Sequence, residues 1–270
     1  MNSPKRPILR YHGGKWMLAK WVISQFPPHR IYVEPYGGAA SVLLRKPRCY
    51  AEVYNDLDGE IVNVFRQARE NGSRLSELLR LTPFSRDEYA ESFEVAEDPL
   101  EQARRTIVRS FMGRGSNALC RGVRSGFRAG SKNSERTAAH DWKNYADALH
   151  AITERLAGVT IENIPAMDVM SANDTPKTLH YCDPPYVHAT RSGCNGYSHE
   201  MTDVEHRDFA EFAHSLKGMV IVSGYDCDLY RELFGDWRQV CCDALADGAR
   251  PREESLWISP SADKACPLFT

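Results

Sequence analysis

The sequence predicts an α/β protein: a mixed seven-stranded sheet, mostly parallel, with helices on both faces and a mainly helical insertion. Three observations lead there. Seven short apolar segments read as strands, and amphipathic stretches fall between several of them. From about residue 71 to 150 that alternation gives way to helical patterns alone. Strands that alternate with helices build parallel sheets covered on both sides.

A first helical pattern, 15–26, follows Gly13-Gly14 and stops at Pro27-Pro28. Strands are expected at 31–34 and 49–54, with a helix at 59–69. Helices at 85–92, 100–111 and 142–156 then surround the basic, Gly/Ser-rich stretch "MGRGSNALCRGVRSGFRAGSKNS". Strands resume at 159–163 and 178–182, followed by a helix at 203–215, a strand at 219–223 and a helix at 227–234. Only "DALADGARPRE" joins the last two strands, 238–242 and 254–258, so an antiparallel hairpin at one edge is expected. Residues 1–70 and 151–270 are therefore expected to form one domain, interrupted by an insertion at 71–150 with a basic hairpin near 112–136.

The composition, 42% apolar and 26% charged, argues against disorder. No apolar run approaches the roughly 18 residues of a membrane span, and "MNSPKRPILR" lacks an apolar signal core, so a cytoplasmic protein is expected. Eight cysteines without CxxC spacing read as reduced, mostly buried thiols, and no metal site is expected. Net charge is −2, but between Arg104 and Arg136 nine basic residues face Glu135 alone, a local net of +8. That asymmetry points to a basic face on an acidic body, with a solvated loop as the bland alternative.

The strand ends carry the chemistry. In "IYVEPYGGAASVLL" a strand runs through small residues into a helix, and open α/β sheets bind ligands at such carboxyl ends. Asp56 in "EVYNDLDGE" follows about 20 residues later, where an acid accepts hydrogen bonds from a ribose diol; helix capping, by Asn55 or Asp58 equally, is its structural alternative. Together they suggest a nucleoside-bearing cofactor in a Rossmann-like sheet. In "RYHGGKWMLAKW", Lys15 stands where a helix start would favour an anion, although P-loop spacing is missing. The densest signal is "TLHYCDPPYVHA". An exocyclic base amine is a poor nucleophile, and two acceptors, the Asp183 carboxylate and the Pro184 carbonyl, could draw it toward tetrahedral geometry. Pro184 and Pro185 stiffen the backbone beforehand, and Tyr186 can stack on the base. A rigid turn at a strand end is the structural alternative.

In this order, "LRYHGGKW", "YVEPYGGAASV", "YNDLD" and "YCDPPY" resemble the Dam-type (D12 class) DNA adenine-N6 methyltransferases. The resemblance implies S-adenosylmethionine as cofactor and double-stranded DNA as partner, with adenine flipped out for methylation. It implies cofactor contacts at Tyr11, Lys15 (near the methionyl carboxylate), Tyr36 (near the sulfonium), Gly38, Asp56 (ribose) and Asp183 (amino group). It assigns catalysis to Asp183, Pro184, Pro185 and Tyr186. The insertion becomes a target-recognition region with Asn117 and Arg121 facing DNA, joined by Arg10 and Arg124; an arginine can grip guanine O6 and N7 together. Other basic residues there are expected to hold phosphates. Two positions depart from the family. Ser116 stands where GATC-reading members carry an aromatic, and Ala40 replaces a glycine of the cofactor turn. Cytosine-N4 methylation and a non-catalytic DNA-binding relative remain as alternatives, and a cognate restriction enzyme is a further possible partner.

Overall fold

The structure, a computed structural model, describes residues 4–115, 117–120, 124–129, 137–190, 198–246 and 250–265. Strands β1 (Ile31–Glu34), β2 (Ala51–Asn55), β3 (Val159–Glu162), β4 (Thr178–Cys182), β5 (Met219–Gly224), β6 (Arg238–Ala246) and β7 (Arg250–Ile258) form one sheet. Helices α1 (Ala19–Ser24), α2 (Gly59–Glu70), α3 (Gly72–Leu81), α4 (Arg86–Glu91), α5 (Pro99–Met112) and α6 (Ala138–Lys143) precede β3 or lie between the early strands. They are followed by α7 (Tyr145–Leu156), α8 (Ala166–Ala172), α9 (Asp203–Ser215), α10 (Asp228–Leu233) and α11 (Pro260–Lys264). Two compact units divide the chain. One holds Met17–Gly37, Lys46–Leu57 and Gly158–Thr270; the other holds Met1–Trp16, Gly38–Arg45 and Asp58–Ala157.

The first unit contains the whole sheet, in the order β3-β2-β1-β4-β5-β7-β6. Pairing is parallel from β3 through β5, and antiparallel from β5 to β7 and from β7 to β6. This is the seven-stranded mixed sheet that the sequence predicts. Alternation along each strand sorts side chains to two faces. Cys182, Val220, Val222 and Trp257 cluster with Phe209 and Ala213 of α9 and with Tyr230 of α10. Val33 and Val53 pack with Val169 of α8 on the same face. Each such fully buried side chain contributes about 1.5–3 kcal/mol. The opposite face carries tyrosines and acids: Tyr32, Glu34, Glu52, Tyr54 and Tyr181 are all buried. Phe26, just past α1, packs its ring against Tyr32 and Tyr181 there, at 5.8 and 5.7 Å. On this face Tyr32 donates to Glu34 at 2.7 Å and Lys46 pairs with Glu52 at 2.6 Å.

The second unit is helical. Asp58 caps α2 through Glu60 and Ile61 N–H groups, and Asp98 caps α5 just ahead of Pro99. Tyr145 of α7 donates to the Ile8 carbonyl at 2.7 Å, and the Arg6 guanidinium donates to the Asp141 carbonyl at 3.0 Å, so the N-terminal segment is stitched to α6 and α7. No helix among the described residues is long and apolar enough to cross a membrane.

Several expectations need correction. The helix expected at 15–26 spans only Ala19–Ser24, because Gly13 takes φ +71° and the chain turns before it can coil. Lys15 is therefore not at a helix start. The helix expected at 142–156 is two helices meeting at Asn144. The final strands run to Ala246 and from Arg250, longer than 238–242 and 254–258. Helices α3, α8 and α11 have no counterpart among the expected elements. Of the six described cysteines only Cys120 and Cys182 are buried, so burial is not their rule.

Candidate active site

Strand order sets the place. From β1 the chain steps outward through β2 to β3, then returns to β4 on the other side of β1. The reversal opens a crevice beyond the carboxyl ends of β1 and β4, the usual ligand position in such sheets. Tyr36 follows β1, Asp56 follows β2 and Asp183 follows β4, so three of the expected site residues leave neighbouring strands at one edge.

Two devices hold those ends together. The Asn55 amide donates to the Pro35 and Ile164 carbonyls at 2.8 and 3.0 Å and accepts from Ile164 N–H at 3.0 Å, fastening β1, β2 and the exit of β3. Gly37 N–H donates to the Asn55 carbonyl at 2.8 Å. A β-carbon on Gly37 would stand 2.2 Å from the Tyr54 ring, so only glycine allows this approach. The cap on α2 is Asp58 and the brace is Asn55, which answers the capping alternative for Asp56: that residue is not the helix cap. Its carbonyl accepts from the Asn163 amide at 2.7 Å.

Beyond β4, Asp183 and Pro185 are half-buried while Pro184 and Tyr186 are buried. The Tyr186 hydroxyl donates to Glu254 Oε2 at 2.7 Å and lies 3.4 Å from Ser223 Oγ. Tyr225 meets the Tyr186 ring edge-on at 4.6 Å and 76°. Burial first, and the Asp183 charge second, push the Tyr186 and Tyr181 hydroxyls and the Cys182 thiol well above their ordinary values. All three therefore stay protonated, and Tyr186 acts as a donor. Burial likewise raises Tyr36, whose half-buried ring meets Phe209 edge-on at 5.7 Å. An open cleft of about 480 Å³ borders Val187, Ala189 and Thr190 after the motif and Tyr225 to Leu229 after β5. Glu254 is not among the expected site residues. Its signal is an acid directly before the buried end of β7, "SLWI", but nothing local ties it to Tyr186, 68 residues away.

In the helical unit Tyr11 and Gly38 come together: a β-carbon on Gly38, at φ +47°, would reach 3.0 Å from the Tyr11 ring. Ala40 also takes a positive φ, +50°, although it carries a side chain. The Arg155 guanidinium donates to the Leu43 carbonyl at 2.6 Å and pins this turn to α7. Lys15 is buried, and its ammonium donates to the Gly13 carbonyl at 3.1 Å. Arg10 is anchored by reciprocal bonds with Ser110 at 2.7 and 3.1 Å, and its guanidinium reaches the Gly113 carbonyl at 3.5 Å. Gly113 bridges Phe127, and Arg114 N–H donates to Gly126, closing a short two-stranded stem. Asn117 begins a single 3₁₀ turn, Asn117–Leu119. Arg124 is exposed, its guanidinium 4.8 Å over the Phe93 ring. Arg121 and Ser116 lie outside the described residues, as does the stretch 191–197 that follows the motif.

The basic run itself needs correction as a phosphate-holding face. Arg104 is bonded to Glu101 and Glu88, both at 2.7 Å, and Arg105 to Glu101 and Glu91, both at 2.8 Å. Arg109 pairs with Glu60, and Arg128 with Asp141 at 3.2 Å. Four of the nine charges are thus engaged by acids that folding brings in from α2, α4 and α6. Among the described residues of the run, Arg114 and Arg124 are the exposed ones.

Comparison with known proteins places these features. A family model described as D12 class N6 adenine-specific DNA methyltransferase matches residues 11–242. A DNA adenine methylase of Haemophilus influenzae is 24% identical over 248 residues, covering 85% of this chain and 82% of its own. The DNA adenine methylase of Serratia marcescens is 24% identical over 255 residues, 87% of each chain. That of Salmonella typhi is 25% identical over 243 residues, 85% of this chain and 84% of its own.

Proposed function

The chain belongs to the D12 class N6 adenine-specific DNA methyltransferases, and from that membership we propose how its residues divide the work of methylating adenine in duplex DNA. The cofactor is S-adenosylmethionine, which supplies an electrophilic methyl group when bound. The residues present suit it chemically. Asp56 accepts from the ribose diol, Asp183 from the amino group, and the buried Lys15 ammonium faces the carboxylate. Gly38 leaves space beside Tyr11 that a β-carbon would fill, and Tyr36 lies near the sulfonium.

At the substrate, the Asp183 carboxylate and the Pro184 carbonyl accept hydrogen bonds from the N6 amine of the flipped adenine. This draws its lone pair out of conjugation and turns it toward the methyl carbon. Pro184 and Pro185 hold those acceptors in place beforehand, so little reorganisation is needed. Tyr186 stacks on the base. Residues 71–150 read the target, with Arg10, Asn117, Arg121 and Arg124 facing the duplex. With Arg104, Arg105 and Arg109 engaged in ion pairs, fewer arginines are left for phosphates than the sequence run suggests.

One observation carries the reading: Tyr36 and Asp183 leave β1 and β4, the two strands that flank the reversal point of the sheet. The test is transfer of a labelled methyl group to unmethylated duplex DNA by the wild type and by Asp183→Ala, followed by hydrolysis and identification of the nucleoside. N6-methyladenine from the wild type alone is expected. N4-methylcytosine, or full activity in an equally folded Asp183→Ala, would overturn the assignment.

A further inference from the structure

Tyr186 is held from both ends. Its backbone follows Pro184 and Pro185, and its hydroxyl, at the far end of the ring, donates to Glu254 at 2.7 Å in a buried setting. Tyr225 fixes one side of the ring at 4.6 Å. Glu254 comes from β7, just beyond the last residue of that strand paired with β5, Ser255 opposite Gly224. At that position it reaches past the end of β5 toward the exit of β4. Burying a carboxylate is costly, and an apolar contact would pack the ring for less. A stacking ring, however, works only from one place: the bond at its tip fixes the direction of the ring axis and the position of the tip, while the edge contact with Tyr225 bears on its plane.

We infer that Glu254 is a positioning residue for methyl transfer, fixing through the Tyr186 hydroxyl the position and axis of the ring against which adenine is held. The β6–β7 hairpin thereby belongs to the catalytic apparatus rather than serving only as the edge of the sheet. The inference rests on the methyltransferase roles given above. The bond asks for an acceptor on Glu254 and a donor on Tyr186, so the effect of either residue must vanish when the other is already changed.

Steady-state methylation of unmethylated genomic DNA tests this with the full chain and four variants: Glu254→Leu, Glu254→Gln, Tyr186→Phe and the double variant Tyr186→Phe/Glu254→Leu. Glu254→Leu is expected to lower kcat about ten- to a hundredfold, the scale of a small misplacement at a reacting centre, with KM for S-adenosylmethionine unmoved. Glu254→Gln keeps an acceptor oxygen and is expected to recover most of that loss. In the Tyr186→Phe background Glu254→Leu is expected to cost nothing more. Wild-type kcat in Glu254→Leu, a loss confined to KM, or an equal loss in both backgrounds would overturn the inference. If Glu254→Leu does not fold, Tyr186→Phe decides alone: a tenfold or larger loss of kcat is the expected scale, and wild-type kcat overturns it. Activity lost in Asp183→Ala but intact in Glu254→Leu rejects the positioning role alone. Absence of adenine methylation by the wild type rejects both.

Discussion

Replacing Gly37 with alanine strikes the joint between fold and chemistry. The new β-carbon would stand 2.2 and 2.5 Å from two carbons of the Tyr54 ring and 2.9 Å from the Asn55 carbonyl oxygen. Tyr54 is fully buried in β2 and has no space to swing into. The turn after β1 must therefore lift, stretching the 2.8 Å bond from Gly37 N–H to Asn55. Overpacking of this kind costs about 1–3 kcal/mol. In a chain of this size that lowers Tm by about 2–10 °C. Tyr36 precedes the glycine and Asp56 follows Asn55, so both site residues move with the lifted turn. A tenfold or greater loss of S-adenosylmethionine affinity, about 1.4 kcal/mol, is expected. Thermal melting and titration calorimetry read the two effects. Gly126→Ala is the control, since its β-carbon would meet only Arg114 Cδ at 3.8 Å. A Gly37→Ala protein that melts and binds like the wild type would refute the close approach and the link between turn and site.

Ala40→Gly relieves φ +50° at a fully buried alanine, about 1–2 kcal/mol, but gives up a buried methyl and chain stiffness of about the same total. Stability in urea unfolding is therefore expected to stay within about 1 kcal/mol of the wild type. His180 is fully buried in β4, its Nε2 3.5 Å from Asp174, and burial lowers its pKa from 6.5 to about 4. The unfolded chain takes up a proton below pH 6.5 that the folded chain refuses, so stability is full above that pH and falls toward pH 4. Between pH 7 and 4.5 this costs about 2.5 kcal/mol, and His180→Gln should flatten that portion of the urea profile. Arg124→Ala should weaken duplex binding and reduce the salt slope by about one unit, measured by fluorescence anisotropy across a salt series.

What could be read from the sequence depended on how local the signal was. The inner parallel strands β2, β1, β4 and β5 show as short, largely apolar runs because nearly every one of their residues is buried, and Asp183–Tyr186 stands out because its prolines and aromatic lie side by side. The sheet and the adenine-methyltransferase family were legible on that basis. Helix α8 was not, being one short run of seven residues directly after Pro165. Helix α3 was hidden by Gly72, which packs so closely on Thr153 of α7 that a β-carbon would come within 2.4 Å. The basic stretch misled because charge counted along the chain omits acids that arrive from elsewhere: Glu60 reaches Arg109 across 49 residues, and Glu88 reaches Arg104 across 16. Glu254 escaped for the same reason. Long-range pairing, rather than residue type, is what the sequence concealed.

Methylation itself tests most directly whether two fixed acceptors and a stacked ring turn an adenine amine into a nucleophile. Expressed in a host free of DNA methylation, the wild-type chain should leave N6-methyladenine at one recurrent short site across the genome, and Asp183→Ala, equally abundant and folded, should leave none. Identical maps from the two proteins, or no modified adenine from the wild type, would contradict the account.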